Sequence, residues 1–306
     1  MQLKYSIREF IEDRKFKNLS NYTIKMYDTN LKLFHEYCLH KEIINLNEIS
    51  VSTMRKFFLE MKEKNNNNVG TLNNKIRSLK AFFNYLVEEE MMDQKDNPMR
   101  KIKQSKQEVK IEVPTDHQVK QIIRHFERQA YRNGAYIGNR NRMIIIFLIS
   151  TGVRRGELVN VKWDDIDFSN NTIKVFGKKR QIASIPMTLK LRKELAEWKV
   201  ICEHQFNEVG EYVFCTRSNK QLTDEGVSGI FKRLRRDMGS SIGKIHCHSF
   251  RHYFASKAIQ NGLDMTTLQK ILRHESPKIT QVYVNLWGTA IHEQNEKYNP
   301  FNSLDI

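Results

Sequence analysis

The 306-residue sequence is poor in cysteine: Cys38, Cys202, Cys215 and Cys247 lie far apart, with no C-x-x-C pair. A disulfide framework is excluded on that ground, and reduced thiols in a cytoplasmic protein are the expectation. Long hydrophobic runs are missing too. The longest, "MIIIFLI" from Met143 to Ile149, is far too short to span a bilayer. The opening "MQLKYSIREF" lacks the apolar core of a signal peptide, so no membrane partner is expected. No G-x-x-x-x-G-K-[ST] loop and no G-x-S-x-G elbow occur, which argues against a nucleotide-driven motor and a serine hydrolase. His248 and His252 are four apart, but Ser249 stands where a metalloprotease helix needs glutamate. His246 and Cys247 beside them do not close a four-ligand site. No metal and no cofactor are expected.

What the chain has in excess is positive charge: 51 Lys and Arg against 35 Asp and Glu, a formal net of +16. Residues 1–110 carry +6 and the remainder +10, so both halves suit one polyanion, and nucleic acid leads over an anionic membrane surface.

Hydrophobic spacing divides the chain. Four amphipathic helices are expected in residues 1–97, on stripes such as Ile24-Tyr27-Leu31-Phe34-Cys38 after an N-cap at Ser20. The others run through Ile7-Phe10-Ile11, Val51-Met54-Phe57-Phe58-Met61 and Leu72-Ile76-Leu79-Phe83-Leu86, the last with Asn73, Arg77 and Lys80 opposite. Residues 98–114 read as an extended basic linker without glycine. From 115 to 306 a second domain is expected, helical except where "TIKVFGKKRQIASIP" reads as a β-hairpin with Lys178, Lys179 and Arg180 at its tip. The fold class is therefore mainly α: a helical N-terminal domain and a mostly α C-terminal domain with a small antiparallel sheet.

Three clusters in the second domain carry chemistry. In "TGVRRGEL", Arg154 and Glu157 stand at i, i+3, where one can hold the other. The basic hairpin tip is the second. In "HSFRH", His248, Arg251 and His252 fall at i, i+3, i+4 and share a helix face. Further on, "ILRHESPKITQVYVNL" places His274 before Ser276-Pro277, an N-cap and first helical residue, with Ile279 and Val282 expected inward and Tyr283 in the same helix.

These motifs, in this order, resemble the tyrosine recombinase (phage integrase) family, and of its types the simple two-domain recombinases of Xer type or of mobile elements. The resemblance covers nearly the whole chain, with 24 positions from Arg154 to Lys178, 23 from Arg251 to His274 and nine from His274 to Tyr283. It implies a SAM-like core-binding domain at 1–97 and a catalytic domain at 115–306 that cuts and rejoins DNA through a 3′-phosphotyrosyl link. Tyr283 would be the nucleophile, Arg154 and Arg251 the clamp on the non-bridging oxygens, and Lys178 the acid for the leaving oxygen. His248 would assist proton transfer from the tyrosine, His274 would donate to the phosphate, and Glu157 would orient Arg154. Planar guanidinium forks suit a phosphodiester that gains charge, and a tyrosine with a solution pKa near 10 needs cations and a base to attack at neutral pH.

Candidate DNA contacts are Lys75, Arg77, Lys80, Lys101, Lys103, Lys179, Arg180, Lys232, Arg233, Arg235 and Arg236. To these is added Arg273, which replaces a family glycine and is expected to meet a phosphate or to strain its turn. The resemblance implies duplex DNA with an inverted-repeat site as partner, clamped between the domains. It also implies a homotetramer on two duplexes, or a hetero-tetramer with a paralogous recombinase, joined by the tail beyond Tyr283 with Leu286, Trp287, Ala290 and Ile291. The cell compartment would be the cytoplasm, at the nucleoid. Rival readings are a type IB topoisomerase and a non-catalytic helix-turn-helix regulator built on "SKAIQNGLDMTTLQKILRH". The stretch 128–139 has no assignment.

Overall fold

A computed structural model describes residues 1–63, 67–106, 111–133, 135–176, 182–274 and 276–285. The chain divides into two compact units, Met1–Val109 and Lys110–Ile306. Among the described residues no helix is long and apolar enough to cross a membrane.

The first unit holds the four expected helices: α1 (Leu3–Phe16), α2 (Asn21–Leu39), α3 (Val51–Glu63) and α4 (Val69–Glu88). Ser20 caps α2 by accepting from the Thr23 backbone N–H at 3.2 Å, and Asn68 caps α4 likewise from Thr71 at 2.8 Å. The apolar stripes meet in a core where phenyl rings pack edge to face. Centroids are 5.6 Å apart for Phe10 and Phe82, 5.1 Å for Phe34 and Phe57, and 5.1 Å for Phe82 and Phe83.

Two details depart from the sequence reading. Met99 and Ile102 are buried in this core, so the start of the expected linker is a packed strap. Asn73, expected on the free face of α4, is buried instead and exchanges hydrogen bonds with the Ser105 backbone, 2.9 and 3.1 Å. The pair satisfies polar groups that burial would otherwise strand.

The second unit begins with α5 (Asp116–Asn133) and α6 (Ala135–Thr151). Gly138 lets them touch: a Cβ there would fall 2.2 Å from the Ala130 backbone nitrogen. In the unassigned stretch 128–139, the described residues up to Asn133 end α5 and those from Ala135 begin α6. Tyr136 is locked there by donating from its hydroxyl to the Cys215 carbonyl at 3.1 Å.

After α7 (Arg155–Asn160) comes a three-stranded antiparallel sheet, β1 (Ile166–Asp167), β2 (Thr172–Phe176) and β3 (Ile182–Pro186), in that order. Ile173 pairs with Ile185 and Val175 with Ala183, and Ile173 and Val175 point to the core while Lys174 and Phe176 face out. The hairpin was legible; β1, two residues long, was not. Lys178, Lys179 and Arg180 lie outside the described residues.

The remaining helices are α8 (Leu189–Phe206), α9 (Asp224–Met238), α10 (Cys247–Gln260), α11 (Met265–Leu272) and α12 (Pro277–Asn285). Helix α12 starts at the expected proline; of its described side chains Thr280 and Tyr283 are buried and Val282, expected inward, is half-buried, while the side chain of Ile279 lies outside the described ones. Ala255, Ile259, Leu268, Leu272 and Tyr283 form a small core of their own, so the helix–turn–helix of α10 and α11 is a support for Tyr283.

Candidate active site

The α6 helix ends at Thr151, and Gly152 turns the chain at φ +61°. A side chain there would press on Phe254 and Leu272, at 2.6 and 2.8 Å. This turn delivers Arg154 to the cap position of α7. Its backbone N–H donates to Glu157 Oε2 at 2.7 Å and its guanidinium donates to Oε1 at 2.9 Å. The i, i+3 pair read from sequence therefore closes with Arg154 donating both bonds to the Glu157 carboxylate.

Glu157 has a second partner. Arg273 donates to Oε2 at 2.6 Å, so one buried carboxylate holds two guanidiniums. Burial alone would raise the Glu157 pKa, but the Arg273 charge and the hydrogen bonds from both arginines outweigh it and hold the pKa below its ordinary value. The Arg273 side chain, expected at a DNA phosphate, turns inward here, to Glu157 and to the Ile271 carbonyl at 2.7 Å. Its backbone sits at φ +55°, the left-handed conformation that a glycine would adopt freely, so the strain part of that expectation stands.

Arg251, on α10, is buried and donates to two carbonyls, Gly152 O at 2.5 Å and Leu272 O at 2.6 Å. Arg154 donates to the next carbonyl, Arg273 O, at 3.0 Å. The C-terminal carbonyls of α11, which no intrahelical N–H can satisfy, are thereby the anchor for both arginines. Burial, then the neighbouring Arg154, pushes the Arg251 pKa down to about 10.

His274 follows directly. Its Nδ1 lies 2.8 Å from Thr280 Oγ1, and its ring is parallel to that of Tyr283 with centroids 6.5 Å apart. Burial, with Arg251, Arg154 and Arg273 around it, pushes its pKa down to about 4. Tyr283 is buried, and desolvation raises its pKa despite the opposing Arg251 charge. The partner of its hydroxyl is Nδ1 of His252, at 2.7 Å.

His252 is thus a residue the sequence reading grouped with the cluster but gave no role. The signal was there: it lies one residue after Arg251 and four after His248 on the same helix. Thr280 was missed without any signal. His248, expected to serve the tyrosine, stands at the exposed start of α10. Water touches its ring, yet the surrounding protein displaces much of the bulk solvent; that desolvation, then Arg251 and His246, lowers its pKa.

Elsewhere, Arg77, Lys101, Lys103, Lys232, Arg233 and Arg236 are exposed, Lys75 and Lys80 half-buried. Desolvation lowers the Lys75 pKa. Arg235 is half-buried and donates to the Ile245 carbonyl at 2.7 Å, which ties α9 to the chain before α10. Among the described residues no group of His, Cys, Asp and Glu could hold a metal ion.

Two guanidiniums on one carboxylate and a third, that of Arg251, held by carbonyls leave a surplus of positive charge beside a buried phenol, an arrangement chemically suited to an anionic, phosphate-like group. The phage integrase family matches residues 112–287, and the phage integrase N-terminal SAM-like domain matches 7–90. The chain belongs to the phage integrase family.

Its relatives include the tyrosine recombinase XerC of Leptospira interrogans, 28% identical over 299 residues, 97% of this chain and 94% of that one. XerC of Pediococcus pentosaceus is 30% identical over 235 residues, 75% and 76% of the two chains. Among solved structures, the Tn1549 transposon integrase in complex with transposon right end DNA has a TM-score of 0.76 at 19% identity, covering 92% of this chain and 94% of that one. A lambda integrase dimer bound to a COC′ core site has a TM-score of 0.75 at 17% identity, covering 92% and 77%. These last two likenesses are of fold.

Proposed function

We propose that this chain breaks and rejoins a DNA phosphodiester with Tyr283 as the nucleophile. The enzyme is a tyrosine-type site-specific DNA recombinase. The observation that carries the assignment of residues is the shared anchor of Arg154 and Arg251 on successive carbonyls at the end of α11. His274 stands immediately after that anchor, and Tyr283 follows in the next helix. Neither arginine spends all five of its N–H donors on these bonds, so both retain donors for the non-bridging oxygens of a phosphate. Preorganised donors of this kind are each worth about 2.7–4 kcal/mol where charge develops in a transition state.

In this reading His274 donates its free ring N–H to the phosphate, and Thr280 fixes the ring through Nδ1. Glu157 sets the position of Arg154 and Arg273. Lys178 protonates the leaving 5′ oxygen, as the resemblance implies, and His248 stands at the open edge of the site. The partner is duplex DNA with an inverted-repeat site. Assembly is on DNA as a tetramer, of one chain or of two paralogues, in the cytoplasm at the nucleoid. The exposed Arg77, Lys101, Lys103, Lys232, Arg233 and Arg236 then supply phosphate contacts. The tail that would join protomers, with Leu286, Trp287, Ala290 and Ile291, lies outside the described residues.

The test is Tyr283→Phe, which removes one hydroxyl oxygen. Folding and DNA affinity persist, while covalent adducts on a nicked duplex disappear. Adducts formed by the variant at the wild-type rate would place the nucleophile elsewhere.

A further inference from the structure

Resting on Tyr283 as nucleophile, the geometry points to His252 as the group that takes the phenolic proton when Tyr283 attacks, and returns it on resealing. Three observations carry this. Nδ1 of His252 is 2.7 Å from the Tyr283 hydroxyl, within the reach a general base needs. Both groups are held by different helices: His252 projects from α10, one residue after the buried Arg251, and Tyr283 from α12. The hydroxyl is buried, so bulk water has poor access to the proton and a protein acceptor is needed.

The protonation states agree. The charged and titratable groups facing His252 are His246 at the N-cap of its helix, His248 and Arg251 on the helix itself, His274 after α11, and Tyr283 on α12. Desolvation, then His248, His246 and Arg251, depress its pKa to about 4, so the ring is neutral at pH 7, and in the tautomer with its proton on Nε2 the Nδ1 lone pair accepts from the phenol. A phosphate arriving between the arginines brings the opposite charge, which raises the proton affinity of the imidazole when transfer is required.

The step balances. The O–H bond of Tyr283 breaks and its proton joins Nδ1, giving an imidazolium. The phenolate oxygen forms the bond to phosphorus, the P–O5′ bond breaks, and the 5′ oxygen takes a proton from Lys178, the acid of the reading above. Resealing reverses each transfer. His274 is differently committed: its Nδ1 belongs to Thr280.

The experiment uses the full chain and a duplex recovered by covalent capture on the wild-type protein from random-sequence DNA, then nicked to trap the adduct. His252→Ala and His252→Asn are compared with wild type; the asparagine keeps an acceptor near the Nδ1 position but cannot carry the proton. Both variants are expected to cleave at least about 100-fold more slowly at pH 7, within the range for loss of a general base. The deficit shrinks as pH rises towards the ionisation of tyrosine itself. A second substrate with a 5′-bridging sulfur, whose leaving group needs no proton, restores Lys178→Ala but leaves both His252 variants slow.

Should the alanine variant fold poorly, the asparagine variant, checked by its melting curve and DNA affinity, decides. Rates within about threefold of wild type, or a deficit cured by the sulfur, overturn the inference. Tyr283→Phe run alongside separates the two levels. If it still forms adducts, the nucleophile reading falls; if it forms none while His252→Asn is fast, only the role of His252 falls. Failure of the wild-type protein to capture any duplex removes both.

Discussion

The first unit and the active-site corner of the second are built by opposite means. Among the described residues of the first unit no Asp, Glu, Lys, Arg or His is buried; phenyl rings from four helices interlock, and the buried polar groups are amides and hydroxyls. The second unit buries Arg140, Glu157, Asp165, Arg251 and His274. Burying charge is costly unless each charge is paired and hydrogen-bonded, and around Tyr283 it is met by backbone carbonyls and one shared carboxylate. The first arrangement maximises stability; the second holds uncompensated positive charge where an anion is to be bound.

The largest test of this contrast is on the aromatic side. Phe82→Ala, at a fully buried ring, is expected to cost about 3–5 kcal/mol of folding stability, measured by denaturant unfolding, while Arg154, Arg251 and Tyr283 keep their local arrangement. Next comes Arg251→Lys, which keeps the charge but cannot reach both Gly152 and Leu272 carbonyls while facing a phosphate. Cleavage should fall on the order of 100-fold, about 2.7 kcal/mol, with DNA affinity little changed. Equal cleavage would mean that charge alone suffices there.

Glu157→Gln is expected to cost about 2 kcal/mol in unfolding, because two guanidiniums lose their common counter-charge.

A further effect is expected in the pH dependence of stability. His252 and His274 are held near pKa 4 when folded, against about 6.5 when unfolded. The unfolded chain therefore binds more protons in between, so stability is full above about pH 6.5 and is lost as pH falls towards 4. The melting temperature should drop across that window, and less so in His252→Asn.

Smallest of all is Arg273→Gly. It removes about 1 kcal/mol of left-handed backbone strain but also the bond to Glu157, so net stability should change by less than about 1 kcal/mol. A large loss would show that the Glu157 bridge dominates.

Much of this was legible beforehand. The stripes of the first unit predict α1 to α4 because period 3.6 is a local property, and Pro277 marks the start of α12 for the same reason. Arg154 with Glu157 was legible because the pair is four residues long. The inward turn of Arg273 was not: its partner Glu157 lies 116 positions away. The burial of Met99 and Ile102 was hidden by the lysines around them, whose charges read as linker.

By itself, then, the sequence determined the helical periods, the excess of positive charge and the set of residue types capable of phosphoryl chemistry. Only the tertiary structure decided which of two histidines on α10 meets the Tyr283 hydroxyl, and which arginines serve a carboxylate or a carbonyl rather than solvent. The physical reason is range. Helical period and capping act over a few residues, whereas a hydrogen bond such as His252 to Tyr283 joins positions 31 apart and exists only once α10 and α12 have packed.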